Sequence, residues 1–596
     1  MKLVIAEKPS VAASIAKALG IKDGRKDGYI EGGGYYISWC IGHLIGLAEP
    51  DLYDDKYAKW RYSDLPIMPD EFKYKISGDK NKQFKVIKGL MHKKEVTEII
   101  NACDAGREGE LIFRLVYNQA ECKKPMKRLW ISSMEESAIR EGFNNLKDGS
   151  EFNNLYLSSL CRLWADWLVG INATRLFSLL YDTTLNIGRV QTPTLALLVK
   201  RHEQITYFRP EKYYTVSVGL GKVNAVSDKF DNIETANTVK AACEKSQAVC
   251  VSITKEQKTE KPPKLFDLTT LQRQANKIYG YTAKQTLDLA QSLYEKKLIT
   301  YPRTDARYLT EDMAETAAAV IHLSANVPPF DTAPDFFPDI SNMIDNKKVS
   351  DHHAIIPTVE IEKTDLAELP KGETNILKLI ICKLLCASAE PYVYENKTAV
   401  FECGGYTFTV KGKTVISYGY KTIEKLLCDT SSESEDEIYV PDFYRGQRFA
   451  GVKAETLEKE TKPPKPYTED TLLSAMENAG NKDIVKDAER KGLGTPATRA
   501  GIIEKIVQTG FAERKGKQII PTKNGTLLVS VLPDTLISAD LTAEWENSLT
   551  QIAKGKSSPD LFMSGIKAMI TELVRKYPSV SKNRQNIFKS EKDMAR

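Results

Sequence analysis

Across 596 residues the sequence contains no CxxC pair, no GxxxxGK[ST] loop and no uninterrupted apolar run long enough to span a bilayer. The missing loop removes the usual cradle of a nucleotide-hydrolysing enzyme. The missing run removes a membrane-spanning helix, and the opening Met1 to Ser10 is too short in its apolar part, and too quickly charged, for a signal peptide. The ten cysteines are scattered, so neither a zinc site nor a disulfide framework is expected. Cys382 and Cys386 stand at helical spacing in an apolar stretch and read as core thiols. Charge of one sign is also in short supply. A net charge of +5 permits nucleic acid as a partner without demanding it. A cytoplasmic protein is expected.

What is present fits a soluble chain of several domains, with 42% hydrophobic and 27% charged residues. Leu3 to Ala6 reads as a short buried strand, followed by a helix through Val11, Ile15 and Leu19 that Ser10 could cap. Residues 96–103 read as a second buried strand, followed by a helix bearing Leu111, Ile112 and Leu115. Strands alternating with helices imply a mostly parallel sheet, whose ligands bind beyond the carboxyl ends of the strands. Glu7 and Asp104 fall at those ends. Residues 151–210 look helical, 212–260 β-rich, 263–395 helical, 398–418 β-rich again, and the remainder helical and basic with an exposed tail after about 578. Lys-Pro-Pro-Lys at 261–264 and again at 462–465 punctuates the chain, and the acidic stretch Ser431 to Glu437 reads as a solvated loop.

Four segments carry chemistry. Asp104, Glu108 and Glu110 place three carboxylates directly after a strand, a pattern suited to Mg²⁺. In isolation a helix N-terminus that attracts acids through its dipole explains them better, and it is the coincidence with Glu7 and Lys8 at the other strand end that favours a metal site. In Ile299 to Asp305, Tyr301 is a candidate nucleophile, Pro302 stiffens the backbone and Arg303 can grip a phosphate. An ordinary turn tyrosine remains the competing account. Asp351-His352-His353 holds two of only six histidines and suits donation to a phosphate. Asn186 to Leu195 offers polar side chains ahead of a helix, another phosphate grip, although proline at a helix start is a structural habit too.

Taken in order, these segments resemble the type IA DNA topoisomerases, and the topoisomerase III branch most closely. Leu3 to Ser10, Gly42-His43-Leu44, Asp104 to Glu110, Ala165 to Gly170, Gly188 to Leu195, Tyr301-Pro302-Arg303 and Asp351 to Thr358 carry the resemblance, with Gly494 to Arg499 and Thr542 to Glu546. It implies a multidomain α/β protein with added α and β parts. A Toprim metal-binding domain (1–150) would be followed by a toroidal type IA core. That core would comprise a winged-helix-like helical domain (151–210 and 460–580), a β-rich arch (211–262 and 396–459), the tyrosine-bearing domain (263–395) and a tail (581–596).

The resemblance further implies ATP-independent cleavage of one DNA strand through a 5′-phosphotyrosyl link, strand passage and resealing, for relaxation and decatenation. Tyr301, Glu7, Lys8, Arg303 and His353 would be catalytic. Glu7, Asp104 and Glu108 would hold Mg²⁺, with no zinc. DNA contacts would fall on Arg61, Arg162, Asp166, Arg175, Ile187, Gly188, Arg189, Val190, Gln191, Thr192 and Arg303. Trp60 could stack on a base, but a core position is the commoner fate of tryptophan. The expected partners are single-stranded, negatively supercoiled or catenated DNA, with a single-strand-binding protein or helicase as candidate protein partners, no membrane, and a monomeric enzyme. Many relatives carry a second aspartate where this chain has Gly106, which makes Glu108 or Glu110 the substitute ligand. Two rival readings are a Toprim nuclease or primase that ignores Tyr301, and an inactive DNA-binding scaffold.

Overall fold

The computed structural model describes residues 1–22, 24–131, 134, 136–334, 337–349, 352–427, 440–480 and 492–589. Asp351 and the acidic stretch 431–437 lie outside the described residues.

The amino-terminal sheet is built around Lys2–Ala6, which runs parallel to both Tyr35–Trp39 and Glu98–Ala102. Met126–Arg128 continues the parallel set, while short antiparallel strands finish the two edges. Leu3, Val4, Ile5 and Ala6 are wholly buried because helices cover both faces. Pro9–Ala18 and Glu136–Asn144 pack on one face, and Asn81–Met91 with Arg107–Gln119 on the other. Continuous apolar strands of this kind are what two-sided burial requires. Ser10 does not cap the first helix. Lys8 is its N-cap and Pro9 opens it, a position where the missing N–H costs nothing. The register pairs Ala6 with Ala102, so both strands end at one edge and release Glu7 and Asp104 side by side.

A helical body forms from two distant parts of the chain. The 29-residue helix Asn153–Tyr181 and the helix Gln191–Thr206 share one core with Glu469–Asn478, Pro496–Gln508, Asp540–Ala553 and Pro559–Lys576. A two-stranded hairpin, Ala512–Lys515 with Gln518–Pro521, follows the helix Pro496–Gln508. The expected exposed tail is partly docked. Phe588 meets the Tyr181 ring edge-on at 5.6 Å and Lys589 pairs with Asp182 at 2.6 Å.

Residues 212–260 and 392–460 join in one antiparallel seven-stranded sheet. Its longest strands, Ala248–Glu260 and Tyr392–Cys403, pair along almost their whole length. The purely β reading of 212–260 misses the helix Ile233–Glu244. Asn232 caps it on Thr235 N, and Ala236, Val239 and Cys243 give it a buried stripe at helical spacing. Between those long strands the chain makes a third body. The helices Leu268–Tyr279, Ala283–Glu295, Ala314–Ala325 and Lys371–Ser388 pack on a common core that includes Leu298, Ile299 and Ile355, flanking Tyr301. Cys382 and Cys386 are buried in it. Among the described residues no helix is long and apolar enough to cross a membrane.

Candidate active site

A cleft of about 930 Å³ opens where the sheet edge, the helical body and the Tyr301 body meet. Glu7, Lys8 and Asp104 reach it from the sheet, Arg162 and Asp166 from the long helix, and Tyr301 with Arg303 from the third body.

Local pairing explains how Tyr301 gets there. Thr300 N donates to Ile356 O at 2.9 Å, and the Thr300 hydroxyl donates to Ala354 O at 3.1 Å. Thr304 Oγ1 donates to His352 O at 2.8 Å. The segments around 300 and 355 therefore run side by side, which stacks His352 on Tyr301 with ring centroids 4.3 Å apart. Tyr294 meets the Tyr301 ring edge-on at 5.4 Å. Lys8 donates from Nζ to the Tyr301 hydroxyl, and the same ammonium lies 3.8 Å from the ring centroid and 3.6 Å from Glu7 Oε1. Burial first, then the neighbouring Asp104 and Glu7 carboxylates, push the phenol well above its usual range, with Arg303 opposing. Tyr301 rests as a neutral phenol held by a cation.

His353, the histidine expected at the site, does not line the cleft. In extended chain successive side chains point to opposite sides, and it is His352 that faces the cleft, with Nε2 3.1 Å from Asp104 Oδ2. His353 turns away, its Nδ1 2.9 Å from Ala354 O, and burial lowers its basicity.

The two strand-end carboxylates act as a pair. Burial, and then Asp104, raise the Glu7 carboxyl. Asp104 is desolvated as well, but His352 and Lys8 outweigh that and hold it below the usual carboxylate range. Asp104 Oδ1 is buried with no hydrogen-bond donor on it. Two juxtaposed carboxylates, one with an orphaned oxygen, form a donor set that fits a hard divalent cation. Glu108 stands on the cleft wall, half-exposed, with its Oε1 2.8 Å from His43 Nε2. Glu110 cannot substitute as a ligand. It is 1% exposed and held by Arg114, Arg128 and Asn101. Two residues along a helix is a turn of about 200°, so Glu108 and Glu110 face opposite ways. Among the described residues no three His, Cys, Asp or Glu side chains converge on a common point.

Arg128 organises the loop that carries Asp104. It is 1% exposed and donates to the backbone oxygens of Asn101, Cys103, Asp104 and Leu129 at 2.6–3.2 Å. Gly109 closes the loop from the other side, where a Cβ would lie 2.1 Å from Asp104 O. Arg128→Met should cost about 3–5 kcal/mol, the usual effect of stranding a buried partner such as Glu110. Chemical denaturation measures it, and a loss below about 1 kcal/mol, the worth of one ordinary hydrogen bond, would remove Arg128 from this role.

The expected DNA contacts divide. Arg162, Asp166 and Arg303 line the cleft. The stretch 187–192 does not grip from the surface as expected. Ile187, Arg189, Gln191 and Thr192 are buried, Val190 is half-buried, and Gly188 N donates to Thr192 Oγ1 at 3.1 Å. It braces the cleft from behind, because Arg189 is drawn inward to Asp166 at 2.8 Å and to Glu546 at 3.8 Å. Arg61 and Arg175 are not among the residues that line the cleft. Arg175 is buried beneath Trp60, 5.3 Å from its ring, and Trp60 itself is 40% exposed rather than in the core. Sequence reasoning gave no role to His43, Asp267, Glu477, Arg499 or Glu546. The first four line the cleft, and Glu546 lies buried against its arginines. Three of these, His43, Arg499 and Glu546, lie in segments that carry the resemblance, and that was their signal.

Residues 2–134 match the family described as Toprim domain, and residues 150–564 match the one described as DNA topoisomerase. Among curated relatives, DNA topoisomerase 3 of Bacillus licheniformis is 40% identical, across 97% of this chain and 82% of that protein. DNA topoisomerase 3 of Bacillus subtilis is 39% identical with the same coverage. In fold, the chain is similar to full-length topoisomerase I from Thermotoga maritima, with a TM-score of 0.71 at 24% identity, covering 96% of this chain and 90% of that one. A Toprim sheet edge set against a tyrosine body, matched to these relatives along 97% of this chain, means that the chain belongs to the type IA DNA topoisomerases, on their topoisomerase III branch.

Proposed function

We propose that Tyr301 is the nucleophile of an ATP-independent strand-passage reaction and that the cleft at the meeting of the three bodies is where the strand is cut. The observation that carries this reading is the contact between Lys8, Tyr301, His352 and Asp104, residues remote in sequence that share one half-buried cluster. A single strand lies in the cleft with its phosphates toward Arg162 and Arg303. The Tyr301 oxygen attacks phosphorus and its proton passes to a neighbouring base. The P–O3′ bond breaks, and Glu7, whose raised carboxyl can carry a proton, protonates the departing 3′-oxygen. The 5′-phosphate stays on Tyr301. Lys8 and Arg303 stabilise the charge that develops on the phosphoryl group. Resealing is the reverse step, and the phosphodiester energy is kept in the phosphotyrosine, so ATP has no part.

Glu7 and Asp104 would hold Mg²⁺, with Glu108 next in reach on the cleft wall. Bound there, the ion would supply positive charge beside the broken ends. His352 sits between Asp104 and the tyrosine ring and orients both. The substrates are single-stranded, negatively supercoiled and catenated DNA in the cytoplasm, and the enzyme works as a monomer, with a single-strand-binding protein or a helicase as its candidate protein partners.

The test uses one oligonucleotide labelled at either end. After denaturation, a 3′-end label should stay on the protein and a 5′-end label should leave with the released fragment. Free fragments of both ends and no adduct would instead support a Toprim nuclease, and retention of the 5′-end label would reverse the assigned polarity.

A further inference from the structure

Behind the cleft, against Arg162 in its wall, lies a buried carboxylate to which the cutting reaction gives no step. Glu546, on the helix Asp540–Ala553, is 2% exposed and stands among three arginines. Arg107, at the start of the helix that follows the Asp104 loop, holds Glu546 Oε2 at 2.8 Å, and both side chains are fully enclosed. Arg162 and Arg189 stand farther from the other oxygen, at 3.9 and 3.8 Å. Asp166 takes Arg189 at 2.8 Å and Arg162 at 3.8 Å, and is itself 42% exposed. Three guanidiniums against two carboxylates leave one positive charge. The cluster is unequal in its distances: two hydrogen-bonded pairs are tight, and three contacts, both of those made by Arg162 among them, are long enough to be given up. Arg162 and Asp166 line the cleft, whereas Glu546 does not.

We propose that Glu546 is an internal stand-in for a DNA phosphate. While no strand is bound, its carboxylate occupies the arginine cluster. An entering phosphate takes over Arg162, which lines the cleft, and Glu546 keeps Arg107 and Arg189. The device weakens strand binding on purpose, since an enzyme that must release its product gains nothing from an uncompensated arginine pocket. It also links the helix behind the metal loop to the strand-binding floor, because Arg107 belongs to the first and Arg162 to the second. Ser159 reinforces that link by donating to Arg107 O at 2.6 Å from the helix that carries Arg162. The proposal rests on the cleft being the strand-binding site.

The experiment uses the full chain with Tyr301→Phe, so that binding is read without cleavage, and a fluorescent single-stranded oligonucleotide over a salt series. Adding Glu546→Gln should tighten binding and steepen the plot of log K against log salt by about 0.7, or about fivefold more affinity gained per tenfold dilution of salt. Glu546→Asp should keep the parental slope. Adding Arg162→Gln to Glu546→Gln should cancel most of the steepening. Parallel slopes with unchanged or weaker binding in a Glu546→Gln protein of native melting temperature overturn the proposal and leave the cleft reading intact. If the Tyr301→Phe parent does not bind single strands at all, both fall. Should Glu546→Gln fail to fold, Arg162→Gln alone decides: a slope shallower by about 0.7 supports the phosphate exchange, and an unchanged slope overturns it.

Discussion

Tyr301→Phe is expected to abolish the covalent adduct with single-stranded DNA while leaving the protein folded and able to bind. Phenylalanine keeps the ring that His352 and Tyr294 pack against, at 4.3 and 5.4 Å. What is lost is one oxygen and its hydrogen bond to Lys8, worth about 1 kcal/mol to stability. Chemistry loses far more. Removing a nucleophile costs on the order of 10⁴- to 10⁶-fold in turnover, because the remaining groups have nothing to deliver. Denaturing gels read the adduct and relaxation of supercoiled plasmid reads the turnover. A persistent adduct in the variant would mean that the nucleophile lies elsewhere, and the role given to the whole cluster would go with it.

Lys8→Met should lower cleavage and resealing together, by about 10²–10³-fold, the range for loss of one preorganised donor at a developing charge. Methionine keeps the length and bulk of the stem, so the change is mainly one of charge. Lys8 holds the phenol oxygen, which is the nucleophile in one direction and the leaving group in the other. Cleavage and resealing share one transition state, so losing a charge that stabilises it slows both. Lys8 also holds down the Glu7 carboxyl, which rises further once the ammonium is gone and leaves the Glu7–Asp104 pair more protonated at a given pH. Single-turnover cleavage and resealing, measured at saturating DNA, separate these effects from binding. A variant that merely raised KM, or slowed cleavage with resealing intact, would place Lys8 in strand binding instead.

Several features were legible along the chain. Four apolar residues before Glu7 and another buried strand before Asp104 announced the two acids at the carboxyl ends of a parallel sheet, and the in-register strand ends bear this out. The β-rich segments flanking a helical insert proved to be one sheet interrupted by the body that carries Tyr301. The errors share a cause. The sequence reading favours His353 over His352, offers Glu110 as an alternative to Glu108, and takes the stretch 187–192 as a phosphate grip. In each case residue type was right for the chemistry and direction was wrong. One step along an extended segment reverses the side chain, and two steps along a helix nearly do so. Arg189 is held by Asp166 at 2.8 Å, with Glu546 from late in the chain farther off at 3.8 Å, and no local pattern discloses either partner.

By itself the sequence determined the inventory: a tyrosine flanked by proline and arginine, acids after strands, ten cysteines with no CxxC pair and no GxxxxGK[ST] loop. In their order, its segments also determined the family. These are properties of residue type and short-range spacing, which survive without knowledge of distant contacts. Tertiary structure alone decided which groups meet. Lys8 reaches Tyr301 across 293 positions, and Arg107 reaches Glu546 across 439. Burial at those meetings raises Tyr301 and Glu7, while the neighbouring His352 and Lys8 outweigh burial and lower Asp104. Desolvation and Coulomb energy depend on what is packed within a few ångströms, and packing joins residues that the chain keeps far apart.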